Sequence, residues 1–252
     1  MSLSIIVIVK NEESSIRDCL TSVAWADEII VLDSGSTDQT VEICKEYTDK
    51  VYETDWPGFG PQKNRALQYA TKEWVLSIDA DERISYDLQT EIKRVIQMPK
   101  RYDAYSMPRR SNYCGRYMKH SGWWPDRVVR LFRRGKANFS DDLVHERIVV
   151  EGKAGKLKEP IIHESLLTIE QVLNTMNSYS TAGAKMMAEE HQTAGLSKAI
   201  LHGLWTFLRT YFFRAGFLDG KEGFMLAISN AEGTYYRYLK LMVINRENQK
   251  EV

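Results

Sequence analysis

The stretch Trp74-Val75-Leu76-Ser77-Ile78-Asp79-Ala80-Asp81-Glu82 constrains this chain more than any other. An apolar, strand-forming run ends abruptly in carboxylates. Such a run reads as a buried strand of a parallel sheet. Carboxylates at its carboxyl end sit in the crevice where open α/β sheets bind ligands. Asp79 and Asp81 are two apart, so an extended backbone aims both the same way. Two hard oxygen donors on one side suit Mg2+ or Mn2+, ions that keep open positions for substrate phosphates. A plainer reading stands beside it: Asp81 or Ser85 caps a helix starting near Tyr86.

The rest of the first hundred residues supports a sheet around that strand. Leu3 to Val9 and Glu28 to Leu32 read as buried strands, and Lys50 to Glu53 as a short one. Helices are expected from Asn11 or Ser14 to Ala24, along Val41 to Tyr47, and from about Gln62 to Thr71. Strand and helix alternate four times, which predicts an α/β layer architecture with a parallel sheet. A helix is expected over about Tyr86 to Gln97. After it, shorter strands are expected at Asp103 to Tyr113, Arg127 to Arg133, His145 to Val150 and Leu157 to Ile162. From Thr168 the pattern is helical: about Thr168 to Glu190, Leu196 to Phe217 and Lys221 to Val243, punctuated by Gly195, Gly216 and Gly220.

A chain of 252 residues suits one large domain or a domain with an extension, and buries ~70–75% of its unfolded surface. Acidic and basic residues balance at 34 each, so net charge identifies no partner. Cys19, Cys44 and Cys114 are far apart, which predicts reduced thiols in a cytosolic compartment. Leu3 to Val9 is too short for a signal peptide and lacks a basic leader. No run reaches ~20 uninterrupted apolar residues, so no spanning helix is expected.

Two further stretches carry chemistry. Asp33-Ser34-Gly35-Ser36-Thr37-Asp38 follows a strand and precedes a helix. Its small residues expose backbone N–H groups, and Asp33 can accept hydrogen bonds from a base or a ribose hydroxyl. A tight turn with Ser36 or Asp38 as a cap explains the loop but not an aspartate ending a buried strand. Lys63, Asn64 and Arg65 follow a Gly/Pro loop at a helix start, where cations and free N–H groups attract phosphate. A solvated basic first turn fits them equally.

Taken in order, Val7-Ile8-Val9-Lys10-Asn11-Glu12, Val31-Leu32-Asp33-Ser34-Gly35-Ser36-Thr37-Asp38 and Ile78-Asp79-Ala80-Asp81-Glu82 resemble the nucleotide-binding half of family 2 inverting glycosyltransferases of the GT-A fold. A closer resemblance is to lipopolysaccharide inner-core glucosyltransferases, which add β-glucose to a core heptose. It rests on Gly122-Trp123-Trp124-Pro125-Asp126 with Arg130-Leu131-Phe132, on Val144-His145-Glu146-Arg147, and on Gly216-Phe217-Leu218-Asp219-Gly220. Many members of the wider family carry paired aspartates where this chain has Asp33-Ser34, so the residue that contacts the base stays open.

The resemblance implies a nucleotide-sugar-binding fold with a mixed, mainly parallel sheet over residues 1–165. Its nucleotide-binding half would cover about 1–98 and its acceptor half about 99–165, with a helical extension over 166–252. It implies that Lys10, Asn11, Glu12, Asp33, Ser34, Lys63, Asn64, Arg65 and Asp79 face a UDP-sugar. Asp79 and Asp81 would bind the metal–diphosphate, Asp81 as direct ligand, with His163 a further candidate ligand. A lone histidine near an apolar strand is also an ordinary packed residue. The base for the incoming hydroxyl is a carboxylate beyond the metal motif. Glu146 takes that role by its place in the His-Glu pair, with His145 orienting it or touching a phosphate and Asp142 as substitute. A structural pairing of Glu146 with Arg147 or Arg130 is the alternative.

Between Lys100 and Lys136 only Asp103 and Asp126 oppose eleven Lys or Arg, and Tyr102, Tyr105, Tyr113, Tyr117, Trp123 and Trp124 are interleaved. Aromatics stack on sugars, and Arg and Lys hold phosphate. A phosphorylated, lipid-linked core oligosaccharide fits. Single-stranded nucleic acid would fit as well, but no nucleic acid partner is expected, and no Gly-rich triphosphate loop follows the first strand. Other polysaccharide or lipid-carrier acceptors remain alternatives, and oligomeric state is open. Ala199 to Leu218 is apolar over more of a helix than one core-facing stripe needs, with basic flanks. That predicts a peripheral contact with the cytoplasmic face of a membrane; covering the catalytic domain or a second subunit is the alternative.

Overall fold

The computed structural model describes residues 2–98, 101–140 and 147–248. Strands β1 (Leu3–Val9), β2 (Glu28–Asp33), β3 (Val51–Glu53) and β4 (Trp74–Ser77) alternate with helices α1 (Ile16–Val23), α2 (Thr40–Lys45) and α3 (Phe59–Tyr69). Next come β5 (Glu82–Ile84), α4 (Tyr86–Gln97), β6 (Ala104–Tyr113), β7 (Arg116–Tyr117), β8 (Asp126–Arg133), β9 (Ala137–Phe139), β10 (Ile148–Val150), β11 (Ala154–Lys156) and β12 (Ile161–Leu166). Helix α5 (Ile169–Glu189), helix α6 (Leu196–Leu208), a π-helical turn (Arg209–Phe213), a 3-10 turn (Gly216–Asp219) and helix α7 (Gly220–Asn248) follow. The described residues fall into two compact units, one within 1–109 and 126–163, the other within 110–125 and 164–252.

In the first unit the strand order is β3-β2-β1-β4-β8-β6. The first four strands are parallel; β8 runs antiparallel to both β4 and β6. Alternation along each strand divides the core into two layers. Leu3, Ile5, Val7, Ile29, Val31, Trp74 and Leu76 pack on one face with Ile16, Leu20 and Val23 of α1 and Leu88, Ile92 and Val95 of α4. Ile6, Ile30, Leu32 and Val75 pack on the other with Ala66 and Ala70 of α3. The near-continuous apolar strands are therefore covered on both faces, as their composition requires. Val9 pairs with Asp33, and Ile78 donates its N–H to the carbonyl of Ile6, so β1, β2 and β4 deliver their carboxyl ends to one edge. Successive strands step away from β1 in opposite directions, β2 to one side and β4 to the other, which opens a crevice at that edge.

Several boundaries differ from the sequence reading for physical reasons. Ser85, not Asp81, caps α4, its hydroxyl accepting the Leu88 N–H at 3.2 Å. The residues after Asp81 form β5 instead of a simple approach to the helix. Helix α3 begins earlier, at Phe59, with Pro61 in its first turn where no N–H is needed. Strand β12 begins at Ile161, just after Pro160. The short strands β9 and β11 were not expected at all. The expected helix to Phe217 stops at Leu208, widens into the π-helical turn, and passes through Ala215 in the left-handed region (φ +53°) before the 3-10 turn.

In the second unit α5 opens with a capping box, Thr168 and Gln171 each accepting from the other's backbone N–H. Lys240 of α7 donates to Ser180 and Thr181 hydroxyls of α5 at 2.8 and 2.7 Å. The Asp219 carboxylate, fully buried, accepts the Lys119 and His120 N–H groups and the His120 ring nitrogen. That contact ties the loop after β7 to the 3-10 turn.

At the edge opposite the crevice, buried Glu28 accepts hydrogen bonds from Ser4, Lys50 and both the N–H and hydroxyl of Thr71. Burial raises its carboxyl, but the bonds from Lys50, Ser4 and Thr71 outweigh this and hold it down to about 2. The folded value lies below the unfolded one, so this stabilisation is present above the unfolded range of ~4.3 and is lost as pH falls toward about 2. Glu28→Gln should lower unfolding free energy near neutral pH by ~1–3 kcal/mol. It should also flatten the stability loss across that acid window, as read by denaturant titrations at successive pH values.

Candidate active site

The crevice edge gathers a buried charge network centred on Asp79. One carboxylate oxygen accepts from Lys63 Nζ at 2.8 Å, and the other from the Arg130 guanidinium. The same Arg130 nitrogen donates to Glu82 Oε1 at 2.7 Å. Glu82 is fully buried, and its second oxygen accepts the Asp79 N–H at 3.0 Å. Two cations thus balance two carboxylates inside the protein, which is what makes burying them tolerable. Burial alone would raise the Asp79 carboxyl; Arg130 and Lys63 hold it far below the usual carboxylate range. Burial likewise works against the Arg130 charge, and Asp79 and Glu82 more than restore it.

Strand geometry puts each partner in place. Leu131 of β8 pairs with Leu76 of β4, which sets Arg130 level with the end of that strand. Lys63 reaches in from the first turns of α3, 3% exposed, with its ammonium 5.8 Å from the Phe139 ring centre. The register His163↔Glu82 between β12 and β5 carries His163 beside Asp81, with Nε2 3.2 Å from Oδ2.

Asp81 differs from Asp79 in what it meets. The two side chains are similarly exposed, 30% and 34%, but the Asp81 carboxylate faces His163 where Asp79 faces Lys63 and Arg130. The carboxylate oxygen suits Mg2+ or Mn2+, and the imidazole nitrogen beside it suits a transition ion such as Mn2+ better than Mg2+. Among the described residues no group of three or more His, Cys, Asp or Glu forms a closed metal cage. An open two-residue site that leaves positions for phosphate oxygens fits that arrangement. Burial raises the Glu12 carboxyl; the Ser15 hydrogen bond opposes it, and the charges of Asp81, Asp38 and Asp79 raise it further, which puts Glu12 in the same acidic neighbourhood.

The other expected site residues have distinct surroundings. Asn11, in the left-handed region, accepts the Thr37 N–H at 2.8 Å and donates its own N–H to Ser36 at 2.8 Å, locking the end of β1 to the loop after β2. Lys10 is exposed on the same loop. The Asp33 carboxylate turns back on its own loop, accepting the Gly35 and Ser36 N–H groups at 2.9 Å each. Ser34 accepts from Gln62 at 2.9 Å. Asn64 exchanges two hydrogen bonds with the Phe139 backbone, and Arg65 pairs with exposed Asp55; of the basic trio, Lys63 is the one held by Asp79. Asp142, His145 and Glu146 lie outside the described residues. Arg130, offered as a structural partner for Glu146, is held by Asp79 and Glu82.

Sequence reasoning missed three members. Arg130 stands between Val129 and Leu131 in an apolar strand, and a charge at such a position was the available signal. Glu82 was read as the end of a run and not as a buried anchor. Fully buried Gln62 joins Ser34 to Thr54, and its Oε1 has no hydrogen-bond partner among the described residues. The basic, aromatic stretch is also less open than expected. Tyr105 and Tyr113 are buried, Arg127 binds the Ser106 and Leu157 carbonyls, and Arg133 pairs with Glu73 over the Trp74 ring.

Residues 4–151 match the family described as glycosyl transferase family 2. An uncharacterized glycosyltransferase of Rickettsia typhi is 31% identical over 262 residues, spanning 99% of this chain and 90% of the relative. The lipopolysaccharide core biosynthesis glycosyltransferase LpsC of Rhizobium meliloti is 31% identical over 92% of this chain and 88% of its own length. Among solved structures, S. aureus TarS 1–349 in complex with UDP-GlcNAc superposes with a TM-score of 0.50 at 16% identity, covering 98% of this chain and 92% of that one, a likeness of fold. With the sheet, the strand-end carboxylates and these relatives in agreement, the chain is a glycosyltransferase of the GT-A type and belongs to glycosyl transferase family 2.

Proposed function

We propose that the protein transfers a sugar, glucose, from a UDP-sugar to a heptose of the lipopolysaccharide inner core by a metal-assisted single displacement with inversion. The observation that carries this reading is the contrast in partners after β4, where Asp79 is neutralised by Lys63 and Arg130 while Asp81 stands beside His163. The name of the Rhizobium relative supports a core-oligosaccharide acceptor. A donor of the UDP-sugar class is supported by the UDP-GlcNAc complex of TarS.

Asp81 and His163 would hold Mg2+ or Mn2+, and a cation there stabilises the charge that develops on a diphosphate leaving group. Asp79 acts through its network: with Lys63 and Arg130 it fixes the turn that aims Asp81. The loops of Lys10 to Glu12 and Asp33 to Ser36 close one wall of the nucleotide site, with Gln62 and Ser34 supplying neutral hydrogen-bonding groups. Glu146 removes the proton from the acceptor hydroxyl as it attacks, a contribution of ~10²–10⁴-fold. Inversion follows from attack on the face opposite the leaving group, with no protein nucleophile.

Two substitutions test these roles. Asp81→Asn should keep the fold but abolish the gain in UDP affinity that Mn2+ gives in calorimetry, and reduce kcat/KM by ~10²-fold or more. Unchanged turnover would remove Asp81 from the metal site. Glu146→Gln should cut kcat by ~10²-fold or more while leaving UDP-sugar affinity nearly intact. If Asp142→Asn does this and Glu146→Gln does not, the base is Asp142. Mass spectrometry of products from a panel of UDP-sugars and truncated core acceptors checks donor and acceptor together.

A further inference from the structure

Helix α6 is built inside out. The centre of its face toward α7 is Ala199, Gly203 and Thr206, continued by Thr210 of the π-helical turn and flanked by His202 on Tyr238 and Phe207 on Phe224. Ala199, Gly203 and Thr210 are buried, and Thr206 meets Thr234 at 3.3 Å. A Cβ on Gly203 would stand 3.3 Å from the Ala231 carbonyl oxygen, so the two helices approach at glycine distance. The opposite face carries Ile200, Leu201, Leu204 and Trp205, all exposed, with Leu201 at 64%. The turns beyond add Phe212, Phe213, Phe217 and Leu218, with Phe213 at 73%.

A water-facing helix does the reverse, with large apolar residues inward and polar ones outward. Small residues inward and large apolar residues outward is the pattern of helices that pack together in lipid. The helix has 13 residues, a length of ~20 Å against the ~30 Å of a hydrocarbon core. Among the described residues no helix is long and apolar enough to cross a membrane. Lys198, Arg209 and Arg214 are exposed around this face, as is Lys221, which lies 3.7 Å from Glu222. Between Gly195 and Lys221 the one acid is Asp219, which is buried on His120. In a chain with balanced charge, this is a local positive rim around an apolar centre.

We propose that this face docks on the surface of an anionic phospholipid bilayer, with α6 and the following turns lying in the interface. The rim matches anionic headgroups and the aromatics match the headgroup boundary. A second copy is the poorer occupant, because a two-fold contact would set the same cationic rim against itself. The purpose of docking rests on the transfer proposed above: an acceptor anchored in lipid and its enzyme would share one surface.

Flotation of the full chain with vesicles tests this. Binding should be strong on phosphatidylglycerol with phosphatidylethanolamine, weak on phosphatidylcholine, and reduced by molar salt. Leu201→Gln with Phe213→Gln, both solvent-facing, should lower partitioning by about tenfold or more with an unchanged melting temperature. Arg209→Glu with Lys221→Glu should weaken binding to the anionic vesicles specifically. Wild-type protein that stays unbound at low salt, or apolar variants that bind as before, would overturn the proposal. So would a concentration-dependent dimer in sedimentation that Leu201→Gln dissolves without any vesicle binding, which would assign the face to a second copy. UDP release with a soluble, truncated acceptor is read in parallel: its persistence in a protein that ignores vesicles would reject the docking and leave the transfer reaction standing.

Discussion

The Arg130 guanidinium, shared by Asp79 and Glu82, is the contact on which the catalytic edge depends. It joins an antiparallel strand to the end of a parallel one at the point where the sheet changes character. Without a cation at that position, two carboxylates would face each other uncompensated. With it, and with Lys63 on the far side of Asp79, the turn from β4 to β5 is held at both ends. Leaving one member of such a buried group without its partner costs several kcal/mol. The network is therefore a fixed frame for the turn on which Asp81 sits.

The two neighbouring aspartates illustrate how environment divides labour between like residues. Spacing alone assigns Asp79 and Asp81 the same chemistry, since both leave an extended strand on one side. In the fold, Asp79 is held by two cations and Asp81 by a histidine, at nearly equal exposure. A motif of this kind is a pair of unequal surroundings.

What could be read from the sequence follows the range over which each signal acts. The parallel strands, their two-faced burial and the helices between them are written in local periodicity, and all four early strands formed where expected. So did the carboxylates at the end of β4, because an apolar run stopping in acids has few other interpretations. The pairing of His163 with Asp81 and the capture of Arg130 by Glu82 depend on strand register across dozens of residues, which no local pattern encodes. The break at Arg209 to Asp219 was hidden for another reason: Ala215 adopts the left-handed region without a glycine or asparagine to announce it. The Gly216 to Gly220 motif, legible only as a resemblance, has a structural sense once Asp219 is seen holding the loop of Lys119 and His120.

The β12–β5 register has a consequence for the chain as it is made. Asp81 is synthesised early, within the first third of the protein, whereas His163 arrives on a strand some eighty residues later. Lys63 and Arg130 also precede that strand in the chain, whereas β5, which carries Glu82, finds its strand partner in β12. A nascent chain thus carries Asp81 before the strand that sets His163 beside it has been made. That placement waits on a non-local strand pairing of the kind that is slow to form. The meeting of Asp81 and His163 is in that sense a report that β12 has joined β5.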